Sequence, residues 1–146
     1  MSGQENVEEK GPGVVGFSRA LTGRSFVSVN YDFEEIPVYL AAGISEDRRF
    51  NSFAKEHAVF SLGVIAGVNE ALWKAYYFGP AHDILDRPEN LAQYTTLLLR
   101  LKALYEKYRG EKRINVGDIL EDLDNIVTEL IDFSREIMKQ SKCKQS

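Results

Sequence analysis

Few residues in this chain suggest chemistry: two histidines, one cysteine and, among several acids a helical turn apart, the Glu121/Asp124 pair. His57 has Glu56 as its neighbour, which points elsewhere on a helix, and has no carboxylate at the spacing of a helical metal pair. His82-Asp83 follows Gly79-Pro80 and reads as loop. Cys143 falls in a polar C-terminal stretch, so neither an internal disulfide nor a Cys/His nucleophile pair is expected. One cysteine and two histidines are too few soft ligands for a structural zinc site. Glu121-Asp-Leu-Asp124 places two acids one turn apart, a spacing able to hold magnesium. No P-loop, GxGxxG or GxSxG motif is present. The expectation is a protein with no metal, no cofactor and no catalytic residues.

Two other patterns are candidates for binding. Arg100, Lys102, Lys107, Arg109, Lys112 and Arg113 set six cations against Glu106 and Glu111, a local excess of four. Such a segment suits contact with a phosphate backbone, with RNA or single-stranded DNA as the partner. Arg48 and Arg49 would extend it, and Tyr105 and Tyr108 would offer rings for base stacking. Asp118 to Glu136 is the opposite, seven acids with Arg135 alone against them. The second pattern is Gly63, Gly67, Ala71 and Ala75, four small residues each four apart. Glycine costs about 1 kcal/mol against alanine inside a helix, so this line needs a reason. It is either close packing within the chain or a protein interface, including one between copies.

The elements that must carry these residues are mostly helical. One helix is expected from Ser45, with Glu46 and Asp47 in its first turn, to about Phe78. A second starts at Asp86-Arg-Pro-Glu89, where Asp86 and Glu89 form a capping box and Pro88 suits the first turn, and ends at Gly110. A third runs from Asn115 to about Gln140. Leu91, Tyr94, Leu98, Leu101, Tyr105 and Tyr108 repeat every three or four residues. So do Ile119, Leu123, Ile126, Leu130, Phe133 and Ile137. These are the facing seams of antiparallel neighbours joined by about five residues. Before them, Val27, Val29, Tyr31 and Phe33 alternate with polar residues, which predicts a strand, with Val14-Val15-Gly16-Phe17 as its partner in a hairpin. Pro37 predicts extended or turned chain at Glu35-Ile36. The fold class expected is therefore mainly α: a bundle of about three long helices with a short N-terminal β-hairpin or extended segment. Residues 14–140 would form a single helical domain between a disordered tail (1–13) and a flexible tail (141–146).

The chain is 146 residues with a net charge of −4, 44% hydrophobic and 27% charged, the composition of a folded domain. Its acidic start is no secretory signal, and its least polar stretch, 58–69, is shorter than the about 20 residues of a spanning helix. A cytoplasmic protein with no membrane partner is expected. Its overall acidity argues against a dedicated DNA-coating role.

Two resemblances bear on function. FNSFAKEHAVFSLGVIAGVNEALWKAYYFG (50–79) and LLRLKALYEKYRG (98–110) give a long helix with glycines in its middle and an aromatic end, then a helix with a basic end. In that style the chain resembles the small α-helical subunits of CRISPR effector complexes. The resemblance implies a non-catalytic subunit that stacks on other protein subunits in an antiviral-defence assembly and touches nucleic-acid backbone through a basic surface. The Glu121/Asp124 pair looks like half of the signature of the all-α nucleotide pyrophosphohydrolases, which implies a small magnesium-dependent hydrolase. That family needs an ExxE pair on an earlier helix, and Glu56 and Glu70 are not so spaced. A viral or regulatory factor that binds one protein and no nucleic acid is the third reading.

Overall fold

The computed structural model describes residues 24–145, with side chains as far as Cys143. Among these residues five helices follow one another and there is no strand: α1 (Phe26–Ser45), α2 (Ser52–Phe78), the short α3 (His82–Leu85), α4 (Pro88–Gly110) and α5 (Val116–Gln145). The expected mainly helical bundle is observed. Val14–Phe17 and the tail 1–13 lie outside the described residues.

The expected strand over 25–33 is instead the first half of α1. Its alternation is real in the sequence, but a second period runs through the same residues. Phe26, Val29, Phe33, Ile36, Leu40 and Ile44 are three or four apart, and all are buried. Tyr31 and Val27, half of the alternating set, face solvent. Burial of the helical set decides the outcome, because local β preference is weak against core packing. Pro37 sits inside α1 rather than breaking it. It is buried, so its ring adds apolar contact that offsets the missing N–H. Ser25 caps the start by accepting from the Ser28 amide at 3.2 Å.

Ser45 ends α1 and does not begin the next helix. α2 begins after Asn51, whose side chain accepts from the Ala54 amide at 2.8 Å. Asp86 is not the cap of α4 either. The helix starts at Pro88, and Asp86 accepts the Tyr76 hydroxyl at 2.8 Å. Burial together with that bond pushes the Tyr76 phenol up to about 12. α5 starts beside Asn115 as expected, and the Asn115 side chain caps it by accepting from the Asp118 amide at 3.0 Å. α5 runs to Gln145 rather than stopping at Gln140, with Ser141 buried.

The long helices form a ring. α1 packs between α2 and α4, and α5 packs between the same two on the other side. Short connections make α1 antiparallel to α2 and α4 antiparallel to α5. α1 and α4 then run parallel, with Phe26 beside Tyr94 and Tyr39 beside Tyr105. α2 and α5 do the same, with His57 beside Asp124. The chain crosses the diagonal of the bundle through α3, whose Ile84 and Leu85 plug one end. Asn90 anchors that crossing by donating to the Ile84 carbonyl and to Gln140, both at 2.8 Å.

Tyr94 is the centre of the core. Its ring stacks on Phe26, Phe33 and Phe133 at 5.0–5.5 Å between centroids, and Phe26 stacks in turn on Tyr76 at 4.3 Å. Rings from all four long helices meet there. Its hydroxyl donates to the Asn69 side chain and accepts from Asn30. Asn30 also donates to the Asn69 side chain at 3.0 Å, and Asn69 donates back to the Asn30 carbonyl at 3.1 Å. Burial pushes the Tyr94 phenol far up, so it stays a neutral donor.

Candidate interaction surfaces

The small-residue line of α2 points outward. Gly63, Gly67 and Ala71 are exposed, and a Cβ built on either glycine meets none of the described residues within 4 Å. Close packing among the described residues is therefore not what keeps the two glycines small. A step of four residues advances about 40° around a helix, so the line drifts. Ala75 has turned to the side and is half-buried against the core. The four residues do not share one face.

Three phenylalanines share the outward face with the small residues. Phe53, Phe60 and Phe78 are 77%, 73% and 86% exposed. They are separated by two turns and then five, so they lie along one line with Gly67 and Ala71 between them. A shallow, almost wholly apolar groove of about 420 Å³ opens beside Phe60, lined by Ser45, Lys55, Glu56, Val59 and Phe60. Sequence reasoning picked out the small residues and missed the phenylalanines. Their spacing was the available signal, but α2 is apolar on both faces and so does not declare which one is buried.

The six cations of 100–113 do not form one patch. Residues seven apart share a helix face, and residues two or nine apart lie on opposite faces. Arg100 and Lys107 therefore flank the α5 side, where Arg100 pairs with Glu129 at 2.6 Å and a groove of about 250 Å³ also receives Asp122. Lys102 and Arg109 lie on the α1 side. Lys102 is 3.7 Å from Asp32, and the Arg109 guanidinium sits 5.3 Å over the Tyr105 ring. Lys112 and Arg113 stand exposed in the loop after α4, with no ion pair among the described residues.

Arg49, expected as an extension of the patch, clamps two loops. It holds both oxygens of Asp47, donates to the Glu111 and Lys112 carbonyls at 3.1 and 2.9 Å, and lies over the Tyr108 ring. The Arg49 bonds hold the Asp47 carboxyl well below the usual carboxylate range. Tyr108 donates its hydroxyl to Asp47 at 2.9 Å, and partial burial with that bond raises its phenol to about 12. Gly43 allows this approach, since a Cβ there would come within 3.1 Å of the Tyr108 hydroxyl. Tyr105 is likewise engaged, stacked near Tyr39 at 6.5 Å. Neither ring is presented for stacking on a base.

His57, Asp124 and Ser61 converge between α2 and α5, but in the wrong order for a nucleophile relay. Asp124 sits in the middle, 2.9 Å from His57 Nε2 and 3.2 Å from Ser61 Oγ. A relay needs the imidazole between the hydroxyl and the acid. The same bonds occupy the Asp124 carboxylate, while Glu121 is exposed. Among the described residues no group of three or more His, Cys, Asp and Glu is placed to hold a metal ion. His82 approaches the Tyr76 carbonyl at 3.3 Å, and Cys143 is exposed. Among the described residues no helix is long and apolar enough to cross a membrane.

Comparison with protein-family models, with curated proteins and with solved structures finds no match for this chain.

Proposed function

We propose that this chain is a non-catalytic interaction module, a small subunit that docks into a larger protein assembly through the outward face of α2. The observation that carries the reading is the line of Phe53, Phe60 and Phe78 in solvent with glycine and alanine between them. Contiguous exposed apolar surface of this kind marks contact sites on soluble proteins. Aromatic residues are enriched where such contacts form. The test is capture of partners from the protein's native source, using the unaltered chain and a Phe60→Ser/Phe78→Ser variant. The variant folds as before and loses its partners. Retention of the same partners would overturn the reading.

A second reading adds a limited phosphate contact at the loop end of the bundle. Lys112 and Arg113 support it, being exposed and unpaired among the described residues. A CRISPR-type effector assembly would use both surfaces, with protein on α2 and nucleic-acid backbone at the loop. Binding of RNA or single-stranded DNA should then fall steeply with salt and weaken in a Lys112→Ala/Arg113→Ala variant. No binding at low salt removes this contact and leaves the docking face untouched.

A further inference from the structure

We infer that the occupant of the outward face of α2 is a second copy of this chain, its own α2 laid antiparallel across the first. The inference rests on the reading of that face as a docking surface and names what docks there.

Side chains along the outward face of α2 pair off about its middle. Phe53 and Phe78 are equidistant from a point between Ile65 and Ala66, and so are Phe60 and Ala71, and Val64 and Gly67. A twofold axis through that point sets the Phe60 ring over Ala71 of the second copy, and Val64 over its Gly67. In the middle of the face Phe60 and Val64 each meet a small residue, and symmetry repeats each contact. At the two ends, Phe53 of one copy reaches Phe78 of the other. A parallel pair would instead set Phe60 on Phe60 and Gly67 on Gly67, which clashes at one level and leaves a void at the other. Gly67, which has none of the described residues against its Cβ position, then has a use.

Charge agrees with the same geometry. Glu56 and Lys74 are five full turns apart, so they share one edge of the face. An antiparallel twofold sets that edge against itself with direction reversed. Glu56 then falls within about 1.5 Å, one residue's rise, of the level of Lys74 in the second copy. This pairing occurs twice. Lys74 now pairs with Glu70 at 3.2 Å, both exposed, a contact that holds its partners weakly. α2 carries Lys55 and Lys74 against Glu56 and Glu70, so its charges balance, whereas α5 carries a large acidic excess. Of these two helices, α2 is the one a second copy can cover without meeting like charge on its own face.

The area sets the strength. A helix of 27 residues is about 40 Å long and about 10–12 Å across. Face to face it covers on the order of 400–500 Å² per copy, against about 800 Å² per partner in a standard stable complex. The dimer is therefore weak and visible only at raised concentration.

Sedimentation of the full chain from low micromolar to millimolar concentration tests this. The mass should rise from monomer to dimer, and the Phe60→Ser variant should stay monomeric throughout. Glu56→Lys alone and Lys74→Glu alone should each weaken the dimer by about tenfold, equivalent to about 1.4 kcal/mol. Mixing these two variants should restore it, because each then offers the other opposite charge at both positions. A chain that stays monomeric at the highest concentration overturns the second copy as occupant. If Phe60→Ser/Phe78→Ser still abolishes capture of a different protein, the docking face survives that result. A dimer indifferent to Phe60→Ser, or single variants whose mixture stays as weak as each alone, also overturns the inference.

Discussion

Facing inward, α2 presents Asn69 to Asn30 and Tyr94, 2% exposed and bonded through both its amide oxygen and its amide nitrogen. Facing outward, two residues earlier, it presents Gly67, and two turns above that Phe60, to solvent. The inward polar group is costly unless every partner is present, so it fixes how α1, α2 and α4 meet. The outward apolar groups contribute nothing to those contacts. One helix thus separates residues answerable to the fold from residues left for something else.

The largest effect should come from breaking the inward side. Asn69→Leu leaves the Tyr94 hydroxyl proton buried without its acceptor, while Asn30 keeps only the Tyr94 oxygen and the residue 69 carbonyl. It should cost about 2–3 kcal/mol in urea unfolding, from one orphaned donor at about 1–3 kcal/mol together with the bonds lost to Asn30. The loop clamp comes next. Asp47→Asn should cost about 1–2 kcal/mol at neutral pH, as expected for lost bonds to a charged group. Because the folded-state pKa of Asp47 is depressed, its stabilisation is complete above the ordinary carboxylate range of about 4. It fades as pH falls below that, so the gap between variant and parent should shrink in acid. Gly67→Ala should raise stability by about 0.5–1 kcal/mol, because the added methyl meets nothing and the helix gains rigidity. Smallest on the fold is Phe60→Ser, within about 0.5 kcal/mol by thermal unfolding, although it should have the largest effect on association. An Asn69→Leu variant as stable as its parent, or a Phe60→Ser variant as damaged as Asn69→Leu, would erase the contrast.

Much of the bundle is legible in the sequence. The α5 seam from Ile119 to Ile137 is buried at every expected position, because one helical period runs through it without a rival. α1 was not legible for the opposite reason. Val27, Val29, Tyr31 and Phe33 satisfy a strand while Phe26, Val29, Phe33 and Ile36 satisfy a helix, and Pro37 favours neither. Only the burial of Phe26 against Tyr76 and Tyr94 settles it. The surfaces were half legible. The glycine line stood out, but apolar residues surround α2, so its outward side could not be told from its inward one. The basic run looked like a single patch because charge was summed along the chain, whereas the helix turns Arg100 and Lys102 to opposite sides. The meeting of His57 with Asp124 joins residues far apart in sequence, and no local pattern announces it.

The most direct test of α2 as a contact surface is hydroxyl-radical footprinting of the isolated chain and of its assembled state. The account predicts that Phe53, Phe60 and Phe78 are reactive in the isolated chain and protected on assembly, while Tyr31 and Val38 on the outer side of α1 keep their reactivity. Protection confined to α1 or to the loop at Lys112 and Arg113, with the three phenylalanines as reactive as before, would contradict it.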